Sequence, residues 1–166
     1  MVRPWSPCWN RGVGLSAQDL SRRLRPADGW PAWVTSAPYR ASAHPQASSI
    51  VPLESGANCQ RYANGVLVLF GRVVPPHRSS GLWEDTGLSH QDRAESQDLD
   101  LVLFNDSNAA WGAHVAVVVG DSLLHLCAEE ARPAFWSWSE FAKRPRYEQL
   151  VGVVRVPSAS ILLGER

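Results

Sequence analysis

The feature that most constrains the fold of this chain is a change in the spacing of its apolar residues. Between Asn58 and Gly71 they recur at three- and four-residue steps, which predicts a helix with one buried face. From Leu99 onward the apolar segments are short and rich in β-formers. Four of them are predicted strands: Leu99–Phe104, His114–Val119, Leu123–Cys127 and Leu150–Val156. A helix followed by antiparallel strands predicts an α+β fold.

The segment before residue 49 has weaker signals. Ser16 and Asp19 favour a first helix, which Pro26 ends. Residues 1–48 are predicted to be an N-terminal extension that packs on a main domain of residues 49–166. Four tryptophans are expected to hold this extension in place: Trp5, Trp9, Trp30 and Trp33.

Two further segments complete the prediction of secondary structure. Residues 72–97 are predicted to form a long irregular loop through a Pro-Pro pair. Ser137 and Glu140 form a capping-box pattern, which predicts the start of a short helix. Three histidines in loop-like segments are given no role: His44, His77 and His90.

The composition excludes several classes of function. The 166 residues include 16 Lys and Arg and 16 Asp and Glu, so no global field recruits nucleic acid or an anionic membrane. A small basic cluster is interpreted as a solvated helix face: Arg22, Arg23 and Arg25. Neither a membrane span of ~20 apolar residues nor a signal-peptide pattern is present, so we expect a cytoplasmic protein. Disulfides are not expected from the three cysteines: Cys8, Cys59 and Cys127.

Cys59 lies where a thiolate is easiest to form, at the predicted start of the second helix. The unpaired N–H groups and the dipole of a helix N-terminus both favour an anion. A lone cysteine on an apolar helix stripe is more often a small buried hydrophobe. Cys59 therefore becomes a predicted nucleophile only together with a base.

Two histidines in the following hairpin provide that base. A two-residue turn at Gly120-Asp121 would pair Val119 with Ser122. Because side chains alternate along a strand, this register places His114 and His125 on one face as diagonal neighbours. A three-residue turn would put them on opposite faces. The prediction of a hydrogen-bonded histidine pair depends on that turn.

These residues have the chemistry of a nucleophile, a base and an orienting group. Cys59 would attack a carbonyl carbon, and His114 would accept the thiol proton and later protonate the leaving group. His125 would fix the ring and tautomer of His114, and the Cys59 backbone N–H is the expected oxyanion donor. Cys127 is a rival nucleophile, although no helix start lies beside it. The same four side chains are zinc ligands, so a zinc site is a further alternative, without the usual close-spaced ligand pairs.

Several segments, in chain order, resemble the NlpC-type papain-like cysteine hydrolases. Asn58-Cys59-Gln60 stands where that family has Asp-Cys-Ser, and Pro76–Ser80 is similar to its Pro-Arg-x-Ser segment. Asp98–Phe104 resembles its Gly-Asp-Leu-Val-Phe-Phe strand, and Ala113–Gly120 resembles His-Val-Gly-Ile-Tyr-x-Gly. Leu124-His125-Leu126 resembles the strand that supplies the third polar residue.

The resemblance implies a papain-like fold in which the nucleophile helix packs on an antiparallel sheet of about five strands. It also implies a triad of Cys59, His114 and His125, and cleavage or transfer of an acyl group with no cofactor or metal. The family mostly cuts peptide stems of bacterial cell walls, often beside D-glutamate. The implied partner is a small peptide or acyl substrate.

The chain departs from the family around the nucleophile. Asn58 and Gln60 replace the aspartate and the serine that help to hold the free amine of the substrate. The tyrosine that the family has about ten residues before the cysteine has no counterpart in Ile50–Ala57. We predict Asn58, Gln60, Trp83 and Trp111 as substrate-binding residues, with the two tryptophans at the edge of the pocket.

A second resemblance favours acyl transfer. Asn58–Ala63 is similar to the Asn-Cys-Glu-His-Phe-Val block of lecithin:retinol acyltransferase-like enzymes, which are circularly permuted and have histidine before cysteine. Three functions therefore remain open: a cysteine hydrolase of amide or related acyl bonds, an acyltransferase, and a catalytically inactive binding module on the same fold.

Overall fold

The structure, a computed structural model, describes residues 15–158. Six strands form one sheet in which every pairing is antiparallel: β1 (Ser89–Gln91), β2 (Leu101–Asn105), β3 (His114–Val119), β4 (Ser122–Leu126), β5 (Pro133–Trp136) and β6 (Gln149–Arg155). Their order across the sheet is β1-β6-β2-β3-β4-β5. The predicted α+β class is confirmed, and the sheet has six strands rather than about five.

Five short α-helices accompany the sheet: α1 (Ala17–Arg23), α2 (Trp33–Ser36), α3 (Cys59–Val68), α4 (Ser79–Glu84) and α5 (Trp138–Ala142). Ser16 caps α1, and Ser137 with Glu140 forms the predicted capping box of α5. Within residues 15–158, no helix has the length and apolarity that a membrane span requires.

Both faces of the central strands are buried, which explains why their sequences are apolar without a break. Leu103, Val115 and Val117 face the core that contains α3, together with residues of α1 and α2. Val102 and Ala116 face a second core on the opposite side, which α5 covers. An antiparallel strand with one solvated face would instead alternate apolar and polar residues.

The described part of the N-terminal segment packs on the same core as α3. Trp33 and Val34 are buried there, and the Tyr62 hydroxyl donates to the Val34 carbonyl at 2.6 Å. The rings of Trp33 and Tyr62 meet edge to face, with centroids 5.8 Å apart. The division at residue 48 stays a prediction. Three residues named above lie outside the described range: Trp5, Cys8 and Trp9.

The predicted irregular loop of residues 72–97 is wrong in part, because it contains α4 and β1. Strand β1 has only three residues, and its stability comes from pairing with β6 rather than from its own sequence. The strand predicted over Leu99–Phe104 also begins later than expected, at Leu101, since Leu99 has a φ of 72° and Asp100 is buried. The Asp100 carboxylate is fully buried, and both of its oxygens accept 2.9 Å bonds from Arg155.

Trp83 of α4 packs on a glycine of β6. A Cβ placed at Gly152 would lie 2.3 Å from the Trp83 ring, which is far inside van der Waals contact. The other side of the ring stacks on His90 of β1 at a centroid distance of 3.7 Å. Gly152 therefore permits the close approach that fixes α4 on the sheet edge.

We predict that Gly152→Ala lowers the free energy of unfolding by about 1–3 kcal/mol, because the added methyl overpacks the Trp83 contact. Chemical denaturation measures this loss. In a Trp83→Leu background the same substitution should cost much less, since the clashing ring is gone. An equal loss in both backgrounds would contradict the explanation.

Candidate active site

The nucleophile predicted from the sequence is the first residue of α3. Asn58 is the N-cap, and its side-chain oxygen accepts the Arg61 N–H at 2.9 Å. The Asn58 N–H donates to the carbonyl of Ala43 at 2.9 Å. These two bonds define where the helix begins and therefore where the thiol of Cys59 lies.

The thiol lies at an opening between β3 and β4. These strands pair from the turn as far as Val117 and Leu124, and the ladder ends there. Beyond that point the N–H of Val115 points toward β4 without a β4 carbonyl to receive it. It donates to the Cys59 sulfur, as does the N–H of Gln60, and both bonds favour a lower thiol pKa. The sulfur thus accepts the hydrogen bond that a backbone carbonyl of β4 would otherwise accept.

The two histidines of the hairpin form the predicted pair. Val119 pairs with Ser122, so the turn has the two residues on which the prediction depended. Nε2 of His114 lies 2.9 Å from Nδ1 of His125 across the opening. The shared face and the hydrogen bond are confirmed, whereas the catalytic roles of the two rings stay a proposal.

Burial and the helix N-terminus have opposite effects on the pKa of the Cys59 thiol. Cys59 is only 9% exposed, and its loss of solvent raises the pKa of the thiol. Hydrogen bonds from Val115 and Gln60 lower that pKa, but by less than burial raises it. The expectation that the helix N-terminus makes Cys59 an easily formed thiolate is therefore wrong for the unliganded protein. The resting group is a neutral thiol.

The histidine pair is neutral for the same reason. Burial, followed by the nearby Arg146 guanidinium, lowers the pKa of His114 to about 3. Burial, then the neighbouring His114, lowers the pKa of His125 well below its ordinary value. At neutral pH, His114 is therefore an uncharged imidazole that can accept a proton.

An aromatic layer surrounds the pair on the face opposite α3. The Tyr147 ring lies 5.0 Å from that of His114, and the rings of Trp136 and Phe141 lie 4.2 and 4.8 Å from that of His125. These contacts account for the full burial of His125 and the partial burial of His114. They also make this part of the sheet the second hydrophobic core of the molecule.

Two arginines on the protein surface influence the pKa of the Cys59 thiol. Arg146 follows Pro145 after α5, and its guanidinium carbon lies 5.7 Å from the Tyr147 ring centroid. Arg78 is the residue before α4. Both positive charges lower the pKa of Cys59, so they favour its thiolate. Within residues 15–158, neither guanidinium has an acidic partner.

Tyr39 is a residue of the site that the sequence reading missed. It forms an isolated parallel bridge with Ala57, two residues before Cys59. Burial first, and then the Cys59 thiol, raises the pKa of its hydroxyl, so the thiol acts electrostatically on this tyrosine. No local signal reveals this, because Tyr39 is distant along the chain and its segment has no apolar period. Its backbone lies beside the segment that leads into the nucleophile helix, and Ile50–Ala57 of that segment contains no tyrosine.

The predicted substrate-binding residues differ in burial: Asn58 and Gln60 are buried, whereas Trp111 is exposed. Asn58 and Gln60 are each 5% exposed, and the Asn58 amide lies 3.5 Å from the Gln60 amide oxygen. Both side chains are therefore buried next to the nucleophile in the chain, and their role in binding substrate stays a prediction. Trp111 is 81% exposed, in a loop that the Asn105 side chain holds through the carbonyls of Ala109 and Trp111. This loop leads directly into His114.

Trp83 does not join this group. It packs between β1 and β6, and no contact among residues 15–158 connects its ring to either histidine of the pair. Its ring has a packing role at the sheet edge, and its part in substrate binding stays a prediction. Cys127, the rival nucleophile, follows β4 and is 1% exposed, and burial raises the pKa of its thiol.

The zinc alternative requires several ligands in one place. In the described range, no three His, Cys, Asp or Glu side chains come together as a possible metal-ligand set. The geometry thus gives the zinc hypothesis no ligand cluster. The three histidines left without a role take part in other contacts, for example His77 with Asp85 at 2.8 Å and His90 with the Trp83 carbonyl at 2.8 Å.

Comparisons with known proteins do not add to this picture. No protein-family model matches the chain, and no curated protein matches it. A function for the site is therefore argued from its geometry and chemistry.

We predict that alkylation of Cys59 by iodoacetamide accelerates steadily from pH 6 to above pH 9, because a raised thiol pKa keeps the thiolate scarce at neutral pH. The rate is measured by mass spectrometry in a Cys8→Ala/Cys127→Ala background, which leaves one thiol. A rate plateau between pH 5 and 8 would contradict a neutral resting pair, since it would indicate a preformed thiolate–imidazolium.

We also predict that acid destabilises the fold through the histidine pair. Their lowered pKa values mean that the unfolded chain binds more protons below pH 6.5, so stability is complete above that pH and falls below it. From pH 6.5 to 5 the free energy of unfolding should fall by up to roughly 3 kcal/mol from these two groups. Urea denaturation at each pH measures this, and His125→Phe should remove about half of the dependence.

Proposed function

We propose that this chain is a thiol-dependent hydrolase that cleaves an amide or related acyl bond through a Cys59 acyl-enzyme on a papain-like fold. One observation carries the proposal: β3 places the Val115 N–H on the Cys59 sulfur and, one residue earlier, places His114 on His125 at 2.9 Å. A nucleophile, a neutral base and an orienting group are thereby grouped around one strand end.

The first half of the reaction forms the acyl-enzyme. Nδ1 of His114 accepts the thiol proton as the Cys59 sulfur attacks the carbonyl carbon and forms the S–C bond. The C–N or C–O bond to the leaving group then breaks, and the leaving group takes the proton back from the His114 imidazolium. Because the resting thiol is neutral, proton transfer must accompany attack rather than precede it.

The second half returns the enzyme to its starting state. A water molecule loses a proton to His114 and attacks the thioester carbon, and the S–C bond breaks as the sulfur regains the proton. The Cys59 N–H, at the first position of α3, can hold the oxyanion in both halves, because no carbonyl within residues 15–158 receives it. Transfer to an acceptor other than water would follow the same steps.

The likeness to the NlpC-type hydrolases supports the same reaction class. Helix α3 begins at the cysteine, and β3, the third strand after it in the chain, begins at the histidine, as the family pattern implies. Tyr39 is paired with Ala57 just before the nucleophile, and it comes from farther back in the chain than the family tyrosine. Asn58 and Gln60 are buried, so the way this chain holds its substrate differs from that of the family.

An inactive binding module on the same fold is the second candidate. The burial of Cys59 and the raised pKa of its thiol favour it, because a scarce thiolate slows covalent chemistry. Arg78 and Arg146 oppose it, since positive charges beside a thiol serve a nucleophile more directly than a packing group. Turnover separates the two functions.

We expect Cys59→Ala to abolish turnover of a panel of fluorogenic amides and thioesters, by at least about a thousandfold, because the covalent path is lost. His114→Ala should have a similar effect. Cys127→Ala is the matched control, and it should retain activity because that thiol lies at no helix start and burial raises its pKa.

Mass spectrometry of the wild-type protein after a rapid acid quench should show the acyl group on Cys59. Full turnover by a folded Cys59→Ala variant would remove the proposal. Absence of turnover and of any adduct across the panel, from a well-folded wild-type protein, would favour the binding module.

A further inference from the structure

The hydrogen bond between His114 and His125 does not by itself determine which of the two rings donates the proton. One proton lies between Nε2 of His114 and Nδ1 of His125, which are 2.9 Å apart. If His114 donates, its Nδ1 is bare and can act as a base. If His125 donates, Nδ1 of His114 carries the proton, and His114 cannot accept one from Cys59. A carboxylate in the place of His125 would allow only the first arrangement.

The outer nitrogen of His125 distinguishes the two arrangements. His125 is 1% exposed, and its Nε2 is buried with no hydrogen-bond partner in the part of the chain that the structure describes. In the active arrangement this nitrogen carries a proton. In the inactive arrangement it presents a lone pair.

Two aromatic rings enclose the imidazole of His125. The Trp136 ring lies at a centroid distance of 4.2 Å and an angle of 64°, and the Phe141 ring at 4.8 Å and 56°. An aromatic face is negative, so it attracts an N–H and repels a lone pair. Nε2 has no polar partner among the described residues, so we infer that these rings are its surroundings, and an aromatic face there favours a proton on Nε2 over a lone pair.

We propose that Trp136 and Phe141 are positioning residues that fix the tautomer of His125 and, through it, leave Nδ1 of His114 bare. They act through the two histidines and do not touch the reacting atoms. This preference exists in the resting protein, so it can be tested whether or not the proposed hydrolase activity is correct.

Both rings are themselves held in place. The Trp136 indole N–H donates to a Glu130 carboxylate oxygen at 3.3 Å, and the Arg144 guanidinium carbon lies 3.7 Å from its ring centroid. Phe141 stacks on Phe104 of β2, with centroids 4.2 Å apart and planes 3° from parallel. Neither ring can turn away from His125 without breaking these contacts.

The experiment is imidazole ¹⁵N NMR of the full chain at pH 7.5, where protonated and bare ring nitrogens have distinct shifts. The wild-type spectrum should show His125 protonated at Nε2 and His114 protonated at Nε2. In Trp136→Leu/Phe141→Leu the two arrangements should become roughly equally populated, which would lower a rate that needs the active tautomer by about half. The single variant Trp136→Phe keeps an aromatic face and should retain the wild-type pattern.

Phe135→Leu is the matched control, because Phe135 lies on β5 next to Trp136 but packs against the opposite core. It should leave the pattern unchanged. A wild-type His125 protonated at Nδ1 would overturn the proposal. So would a double leucine variant that is folded and keeps the wild-type tautomers. If the double variant does not fold, Phe141→Leu alone should show a smaller shift in the same direction, and an unchanged pattern there would equally overturn it.

Discussion

The bond from the Val115 N–H to the Cys59 sulfur is the interaction on which the site depends. A buried backbone donor must find a partner, and in a regular hairpin the partner of Val115 would be a carbonyl of β4. The sheet order explains how it can be a sulfur instead. Strand β3 remains paired with β2 on its other side, and β4 remains paired with β5, so the two can separate at one end without losing their other partners. The opening then admits the start of α3.

The same enclosure sets the electrostatic character of the site. Both faces of the sheet are covered, so the thiol and the two imidazoles have little solvent and each favours its uncharged form. A helix N-terminus usually lowers the pKa of a cysteine, but at Cys59 burial raises the pKa by more than the backbone hydrogen bonds lower it. Forming a thiolate and an imidazolium in this site therefore costs free energy, unless a bound substrate takes up the negative charge as the sulfur attacks. Arg78 and Arg146 are placed to reduce that cost when negative charge develops on the sulfur.

How much of this the sequence could predict varies from element to element. The Gly120-Asp121 turn fixed the parity of the hairpin, and parity alone determined that His114 and His125 meet, because side chains alternate strictly along a strand. The start of α3 was predictable from a local cap at Asn58. Tyr39 was not, since only a backbone bridge to Ala57 brings it beside the segment that leads into the nucleophile helix. The sign of the Cys59 pKa shift was not predictable either, because it depends on burial by elements far apart in the chain.

The choice of histidine as the third residue is consistent with the apolar layer beside it. A carboxylate at position 125 would define the tautomer of His114 without help, but it would place a charge among Trp136, Phe141 and Tyr147. Burying an unpaired carboxylate costs several kcal/mol, whereas a neutral imidazole needs only one good partner for each nitrogen. His114 supplies the partner for Nδ1, and under the proposal above the rings of Trp136 and Phe141 supply a weak second one for Nε2. The aromatic layer that makes a charged third residue costly is then the same layer that orients a neutral one.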